Sequence, residues 1–356
     1  MMLLRRLSQI VVFLWIFSIP TSIAYHYDKQ AGFVHGVLVD YRIPTLSLSF
    51  VLLCLACVLC LLSKHIPKKT LIVALIFTFL FQSLLALYQF RFQHSLTGYI
   101  PFGEVDFSST QIAKGVFFNG SLYKLPYGTT VHPNILAGFC VITFLLLIIQ
   151  KILPIDRRYS ALFFLIASFI CFLTQSLSAT IALLLGYVVF MVLQKKKRAD
   201  HLIRVGILVV PLLSFLFFRL SPIAGSQNTS LSRRAQLQDI ATQMIASHPS
   251  TGIGWNNFTL LQESYGYIPS TTRFLQPVHN AFLLLITELG IAGWLLCAAI
   301  VGLIWKIHPS LLPIAASLVF ISSFDHYVLT LTTGRMLLVL CILLYTSKRR
   351  NQRGEV

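Results

Sequence analysis

Apolar runs close to the width of a bilayer recur along this chain, and no other feature limits its fold as severely. Residues 71–87 and 135–149 are apolar on nearly every helical face. About 20 apolar residues carry a helix across a membrane. Hydrophobic residues make up 56% of the chain and charged residues 11%, against roughly a quarter charged in soluble domains. That balance excludes a disordered chain, a soluble two-domain enzyme and a disulfide scaffold. Outer-membrane barrels alternate apolar and polar residues, which these runs do not. The sequence predicts an all-α polytopic integral membrane protein with about ten transmembrane helices. The spans are expected near 7–25, 44–63, 70–90, 131–150, 159–176, 178–194, 202–220, 281–305, 310–326 and 330–347. Residues 1–356 then read as a single membrane domain.

The formal charge of +17 resembles a nucleic-acid signal, but its distribution argues otherwise. Lys and Arg fall in short tracts beside the apolar runs: Arg5 and Arg6; Lys64, Lys68 and Lys69; Lys151, Arg157 and Arg158; Lys195 to Arg198; Lys348 to Arg350. Dense basic tracts of this kind mark cytoplasmic loops. They orient both termini to the cytoplasm and leave no folded basic domain for nucleic acid. The first run is read as an uncleaved span, with cleavage near Ala24 as the alternative. Cys54, Cys57 and Cys60 lie inside the run 46–62, where cysteine acts as a small hydrophobe. No cysteine spacing implies a metal.

Two outer segments are too long to be connectors: a first loop at 91–131 and a large loop at 221–280. Long loops in compact proteins are usually functional. Within the second, Leu237, Ile240, Ala241, Met244 and Ile245 fall at helical spacing. They predict an amphipathic helix over 234–247, lying on the membrane surface or over a cavity. His248 and Pro249 end it, and residues 251–254 follow as a tight, flexible turn.

The unusual residues gather at the outer side. Arg219, Arg233, Arg234 and Arg273 lie in or beside the large loop. His279 and Asn280 mark its return to the membrane, and Glu288 lies deeper. Asp325, His326 and Arg335 lie near the outer ends of the last two spans. Ionisable groups at such depth mark functional sites, although Glu288 and Arg335 could neutralise each other and Asp325 with His326 could be a capping pair. Two arginines in a helix's first turn are electrostatically poor there and ask for an anionic partner. Arginine's planar fork suits phosphate or diphosphate. A histidine titrating near neutrality can take a proton from a hydroxyl. Trp255, Tyr265, Tyr267 and Phe274 could stack on sugar faces or anchor at the interface. No carboxylates are spaced for a metal, so the reading is a metal-independent, cofactor-free transfer from a diphosphate leaving group.

Several stretches resemble the O-antigen ligase/polymerase family of bacterial membrane glycosyltransferases, over roughly residues 70–345. They are residues 131–138, with His132 and Asn134; Thr174 to Ala179; Ser232, Arg233 and Arg234 leading to His248 through Phe258; Val278-His279-Asn280 with Glu288 to Gly293; and Phe324-Asp325-His326. The resemblance implies a glycan donor linked to undecaprenyl diphosphate and a glycan or lipid acceptor such as lipid A–core. Transfer would occur on the outer face of the bacterial inner membrane. His279 and one of Arg233 or Arg234 correspond to that family's essential His and Arg. Supporting roles are expected for Asn280, Glu288, Asp325, His326, Arg335, His132 and Asn134. Where the family often has Ser-Arg-Gly-Ala, this chain has Ser176-Leu177-Ser178-Ala179, so Arg91 or Arg219 is expected to supply the missing donor contact. A repeat-unit polymerase is the alternative within the family. A transporter or flippase of an anionic lipid-linked substrate is the alternative outside it, weakened because no internal repeat is visible.

Overall fold

In the computed structural model the protein is mostly helical. The structure describes residues 2–21, 24–25, 32–34, 37–39, 46–63, 68–96, 104, 107, 115–118, 121–149, 157–195, 199–220, 229–266 and 275–352. Arg273, Tyr267, Phe274 and the basic residues Lys64, Lys151 and Lys196 to Arg198 lie outside them. In chain order the helices are α1 (Met2–Ser18), α2 (Leu48–Ser63), α3 (Lys68–Phe92), α4 (Pro133–Ile149), α5 (Arg157–Leu173), α6 (Leu177–Lys195), α7 (Asp200–Leu220), α8 (Thr229–Ser247), α9 (Phe258–Tyr265), α10 (Ala281–Leu289), α11 (Ile291–Lys306), α12 (Leu312–Phe324), α13 (Tyr327–Thr330) and α14 (Thr332–Gln352).

Every expected span contains a helix. Three helices are long and apolar enough to cross a membrane, over Lys69–Phe92, Leu177–Lys195 and Asp200–Arg219; the pair Ile291–Lys306 and Pro309–Phe324, bent by 117°, would add a fourth. Leu48–Ser63, Pro133–Ile149, Tyr159–Leu173 and Thr332–Leu343 are shorter and apolar. Large apolar side chains stand fully out on several of these helices, among them Leu61, Phe172, Leu212 and Leu295. Water would not tolerate that surface, whereas acyl chains would. The chain is an integral membrane protein.

By contacts the chain divides into two compact units. The first comprises Met1–Tyr25, Leu46–Val188 and Thr330–Val356. Its central helix is α4, whose residues are buried on every face against α3, α5 and α14. The second half of α3 carries Gln82 and Gln89 on one face, Gln93 follows its last residue, and the three tie down the end of the first loop. Gln89 accepts from the Tyr127 and Gly128 N–H groups at 2.9 and 2.8 Å and donates to the Gly128 carbonyl and to Glu104. Gln82 bonds Thr129 through both amide atoms. Ahead of that clamp, β1 (Gly115–Phe118) pairs antiparallel with β2 (Ser121–Lys124).

The second unit comprises His26–Thr45 and Val189–Leu329. Here α7 works as a ruler. Near its start, buried Arg204 donates to the carbonyls of Ile304, Trp305 and Ile307 and so caps the C-terminus of α11. Asp200 lies 3.6 Å from the same guanidinium. Near the other end of α7, Ser214 meets Asn280, Gln238 bonds the Phe215 carbonyl, and Phe218 packs edge-on to Phe324. The two ends are about 1.5 Å per residue apart along the helix.

The eighth expected span, 281–305, is not one continuous helix. It breaks at Gly290, where φ is +56°, into α10 and α11. A helix end leaves carbonyls unpaired, and residues 250–254 supply their partners. Ile253 N–H donates to the Thr287 carbonyl and Gly254 N–H to the Glu288 carbonyl, both at 3.0 Å; Ile291 N–H donates back to the Ser250 carbonyl. The backbones touch: a Cβ on Gly252 would sit 2.4 Å from the Glu288 carbonyl oxygen, and one on Gly290 would sit 2.3 Å from that of Ser250. The turn at 251–254 is therefore a tight lock and not the flexible joint expected from its glycines.

Candidate active site

The large loop's amphipathic helix exists, but it starts earlier and lies deeper than expected. α8 begins at Thr229, so Arg233 and Arg234 fall past its first turn. Their charge is less exposed to the helix dipole than the sequence implied. The apolar stripe does not lie on a membrane surface. Leu237, Ile240, Ala241 and Met244 are buried with Ile253, Phe258, Val278, Leu283 and Leu284 in one core shared by α8, α9 and α10. That core fixes α8 against α10, so Arg233 and Arg234 and the His279 segment ride on one rigid block.

His279 precedes the N-terminus of α10. Asn280 caps that helix, its side-chain oxygen accepting from the Leu283 N–H at 3.0 Å, while its amide nitrogen reaches Ser214 on α7. The cap is local and structural, and it orients the His279 backbone. The His279 ring lies with Nε2 2.9 Å from Gln276 Oε1 and Nδ1 3.8 Å from Asp325 Oδ1. At 3.8 Å the second contact is a charge contact and no hydrogen bond. Nδ1 is a buried nitrogen without a hydrogen-bond partner. The His326 ring lies 5.2 Å from that of His279, centroid to centroid.

Asp325 follows the last residue of α12. Its Oδ1 accepts from the His326 N–H at 2.8 Å and the Tyr327 N–H at 3.4 Å, opening α13. Asp325 is thus a buried carboxyl facing His279, His326 and Arg234. Arg233 is half-buried, donating through Nη1 to Gln236 at 2.8 Å. Its Nη2 is buried without a partner, and burial lowers its affinity for the proton. That leaves a desolvated guanidinium edge with no acceptor for Nη2 among the described residues.

Other expected site residues are engaged elsewhere. Arg219 forms an exposed ion pair with Asp239 on α8 at 2.9 Å. Glu288 does not need Arg335: its Oε1 faces the Phe258 N–H at 3.4 Å, with the Asn256 N–H also bonded. It holds the start of α9. Arg335, in the first unit, donates to the Thr330 carbonyl at 2.9 Å. Each of the two therefore has a partner within its own unit. Also in the first unit, the Arg91 guanidinium stacks 5.6 Å over Phe92. His132 opens α4, its Nδ1 accepting from the Asn134 N–H at 3.1 Å.

Among the described residues, one group could hold a metal. The ligand atoms of His279, Asp325 and His326 lie within 4.8 Å of one another, looser than the roughly 3.3 Å between ligands of a tetrahedral zinc. Sequence spacing could not foresee this set, because its members are 46 residues apart and meet only through folding. Arg234 supplies positive charge to the same carboxylate, which disfavours a dication there.

Residues 162–298 match the family model of the O-antigen ligases. Over these residues the chain is similar to the O-antigen ligases. No curated protein and no solved structure matches it. The ligase-family segment takes in Arg219, Arg233, Arg234, His279, Asn280 and Glu288, while Asp325 and His326 lie beyond its end. That likeness supports an enzyme of the glycan ligase or polymerase type.

Proposed function

We propose that this protein is an O-antigen ligase-like membrane glycosyltransferase. It moves a glycan from undecaprenyl diphosphate to a glycan or lipid acceptor such as lipid A–core, on the outer face of the bacterial inner membrane, without a metal. The observation that carries the reading is the meeting in one unit of His279, Asp325 and Arg234, with the desolvated edge of Arg233 the next residue along α8.

In this reading the acceptor hydroxyl oxygen attacks the anomeric carbon of the donor sugar. The bond from that carbon to the diphosphate breaks, and the electron pair leaves with undecaprenyl diphosphate. The hydroxyl proton passes to His279. Asp325 orients the ring and stabilises its charged form, as a carboxylate behind an imidazole does elsewhere. Arg233 and Arg234 hold the developing diphosphate charge. Ligation is preferred over anionic-lipid transport because the polar groups meet at one end of α7 and not at its midpoint.

The test is transfer from a lipid-linked donor in membranes holding the variant proteins. Positioned acid–base help is worth about 10²–10⁴ in rate, so His279→Ala should lose at least that much while still inserting. His279→Gln keeps hydrogen bonding but cannot act as a base; near-normal turnover in it would remove the base role. Arg233→Ala and Arg234→Ala should cut transfer strongly, with lysine rescuing only in part because it lacks the fork. Full activity in the double alanine variant would overturn the diphosphate assignment.

A further inference from the structure

We propose that Trp255 is a membrane anchor: its indole sits in the headgroup layer of the bilayer, beside the start of α11, and sets how deep the site lies. The anchor itself does not rest on the glycosyl-transfer reading above; its consequence for transfer does.

The backbone is bent to turn this one side chain out. Ile253 and Phe258, on either side of it, are buried in the core with α8, whereas Trp255 is 51% exposed. The residues flanking it both have left-handed backbone, Gly254 with φ of +93° and Asn256 with +62°. Such a conformation in a residue other than glycine is strained and persists where the surroundings hold it. Here Glu288 holds it from both sides. Its carbonyl accepts from the Gly254 N–H, and its carboxylate from the Asn256 N–H. The Asn257 side chain closes the turn on the Ile253 carbonyl at 3.0 Å. The indole therefore stands out on a rigid mount.

Its surroundings specify the partner. The mount is tied to the first residue of α11 through the bond from Ile291 N–H to the Ser250 carbonyl. Ile291, Trp294 and Leu295 are exposed on the first turns of α11, and Leu260 is exposed on α9. No residue of 249–262 or 289–305 is charged. A single exposed apolar side chain is ordinary, but this one continues a surface that faces acyl chains. α11 is about 24 Å long, against a hydrocarbon core of about 30 Å, so a residue just beyond its start meets the headgroup layer. Exposed Trp305, followed by Lys306, marks the other end of the same helix. Tryptophan at both ends of a span is the pattern of an interfacial belt, where the ring lies in an apolar layer and the indole N–H finds acceptors. A sugar undergoing transfer would lie at the other end of α10, about 10 Å away along that helix from Glu288 to Ala281.

The anchor also fixes depth. α10 doubles back along α11: a Cβ on Gly293 would strike the Leu285 carbonyl, and Cys297 Sγ lies 4.0 Å from the Phe282 carbonyl oxygen. His279 thus lies toward the middle of α11, on the bilayer side of Trp255, with Glu288 nearer the surface. That reverses the order of depth the sequence implied for these two residues.

The experiment uses full-length protein in phosphatidylcholine–phosphatidylglycerol vesicles whose phosphatidylcholine carries bromine either near the headgroup or near the chain tip. Trp255 fluorescence is read in a variant with Trp15→Phe, Trp294→Phe and Trp305→Phe, and again as the difference between wild type and Trp255→Phe. In both readings shallow bromine should quench about twofold more than deep bromine, with little quenching by aqueous acrylamide. Strong acrylamide quenching without bromine quenching, or deeper bromine quenching more, would overturn the anchor. Transfer gives the second readout. Trp255→Tyr, also suited to an interface, should stay within about twofold of wild type, whereas Trp255→Asp should lose about tenfold or more in vesicles. In detergent, where no bilayer sets the depth, the Trp255→Asp loss should vanish. Full transfer by Trp255→Asp in vesicles would overturn the depth-setting role, and an equal loss in detergent would make Trp255 a substrate or packing contact and overturn it too. Wild-type protein that transfers no glycan would defeat the glycosyl-transfer reading alone, because the quenching result stands without it.

Discussion

At the scale of single residues, what distinguishes the arginines here is burial and partnership, not charge. Arg219 is solvated and paired with Asp239, a contact worth about 0–1 kcal/mol. Its replacement by alanine should leave transfer within about twofold of wild type, whereas that of Arg233 should not. Asp325 makes the sharper case. It is buried, lies 3.8 Å from His279 and opens α13 through the His326 and Tyr327 N–H groups. Asp325→Asn should lower stability by roughly 3–5 kcal/mol at neutral pH, the usual cost of breaking a buried charge pair; thermal melts of the two proteins check it, and an unchanged melting temperature would refute the charge argument. Chelation addresses the same cluster. Transfer should survive EDTA, and activity lost to EDTA but restored by zinc would reassign His279, Asp325 and His326 to a metal.

At the scale of elements, the functional block is the stitch between residues 250–254 and the break separating α10 from α11. The stitch explains why this stretch is rich in glycine. Gly252 and Gly290 have positive φ and lie against each other's backbone neighbours, so neither position has room for a Cβ. Gly290→Ala should destabilise by at least about 1–2 kcal/mol from its left-handed backbone alone, and move His279 through α10. Gly302, on α11, has nothing within 4 Å of an added Cβ; Gly302→Ala should be neutral or stabilising by about 0.5–1 kcal/mol. Melting temperatures of the two variants, compared side by side, test the lock. Glu288→Gln should be mild, since an amide oxygen still accepts from the start of α9, and Arg335 has its own partner at Thr330.

At the scale of the whole molecule, the membrane reading came from runs and composition, and the positions of the helices followed them closely. Orientation is a matter of charge. Tags near Gln194 and at the C-terminus should report cytoplasm, and a tag near Gln227 the outer side; a cytoplasmic signal at 227 would move the site to the wrong face. Periodicity over 237–245 was enough to reveal α8, because a helix repeats every 3.6 residues whatever it packs against. His248 and Pro249 ended it for equally local reasons. The break at Gly290 was invisible, since the run is apolar throughout and only the arriving 250–254 backbone makes a continuous helix unnecessary. The union of His279 with Asp325, the diversion of Glu288 to α9, the pairing of Arg219 and the tie of the Trp255 turn to the start of α11 were likewise beyond reach. Apolar runs and helical repeats are local properties, and residues that carry them suffice to predict where the apolar and amphipathic helices fall. Which polar group meets which, and which is left without a partner, depends on contacts between residues tens of positions apart, and only packing creates those.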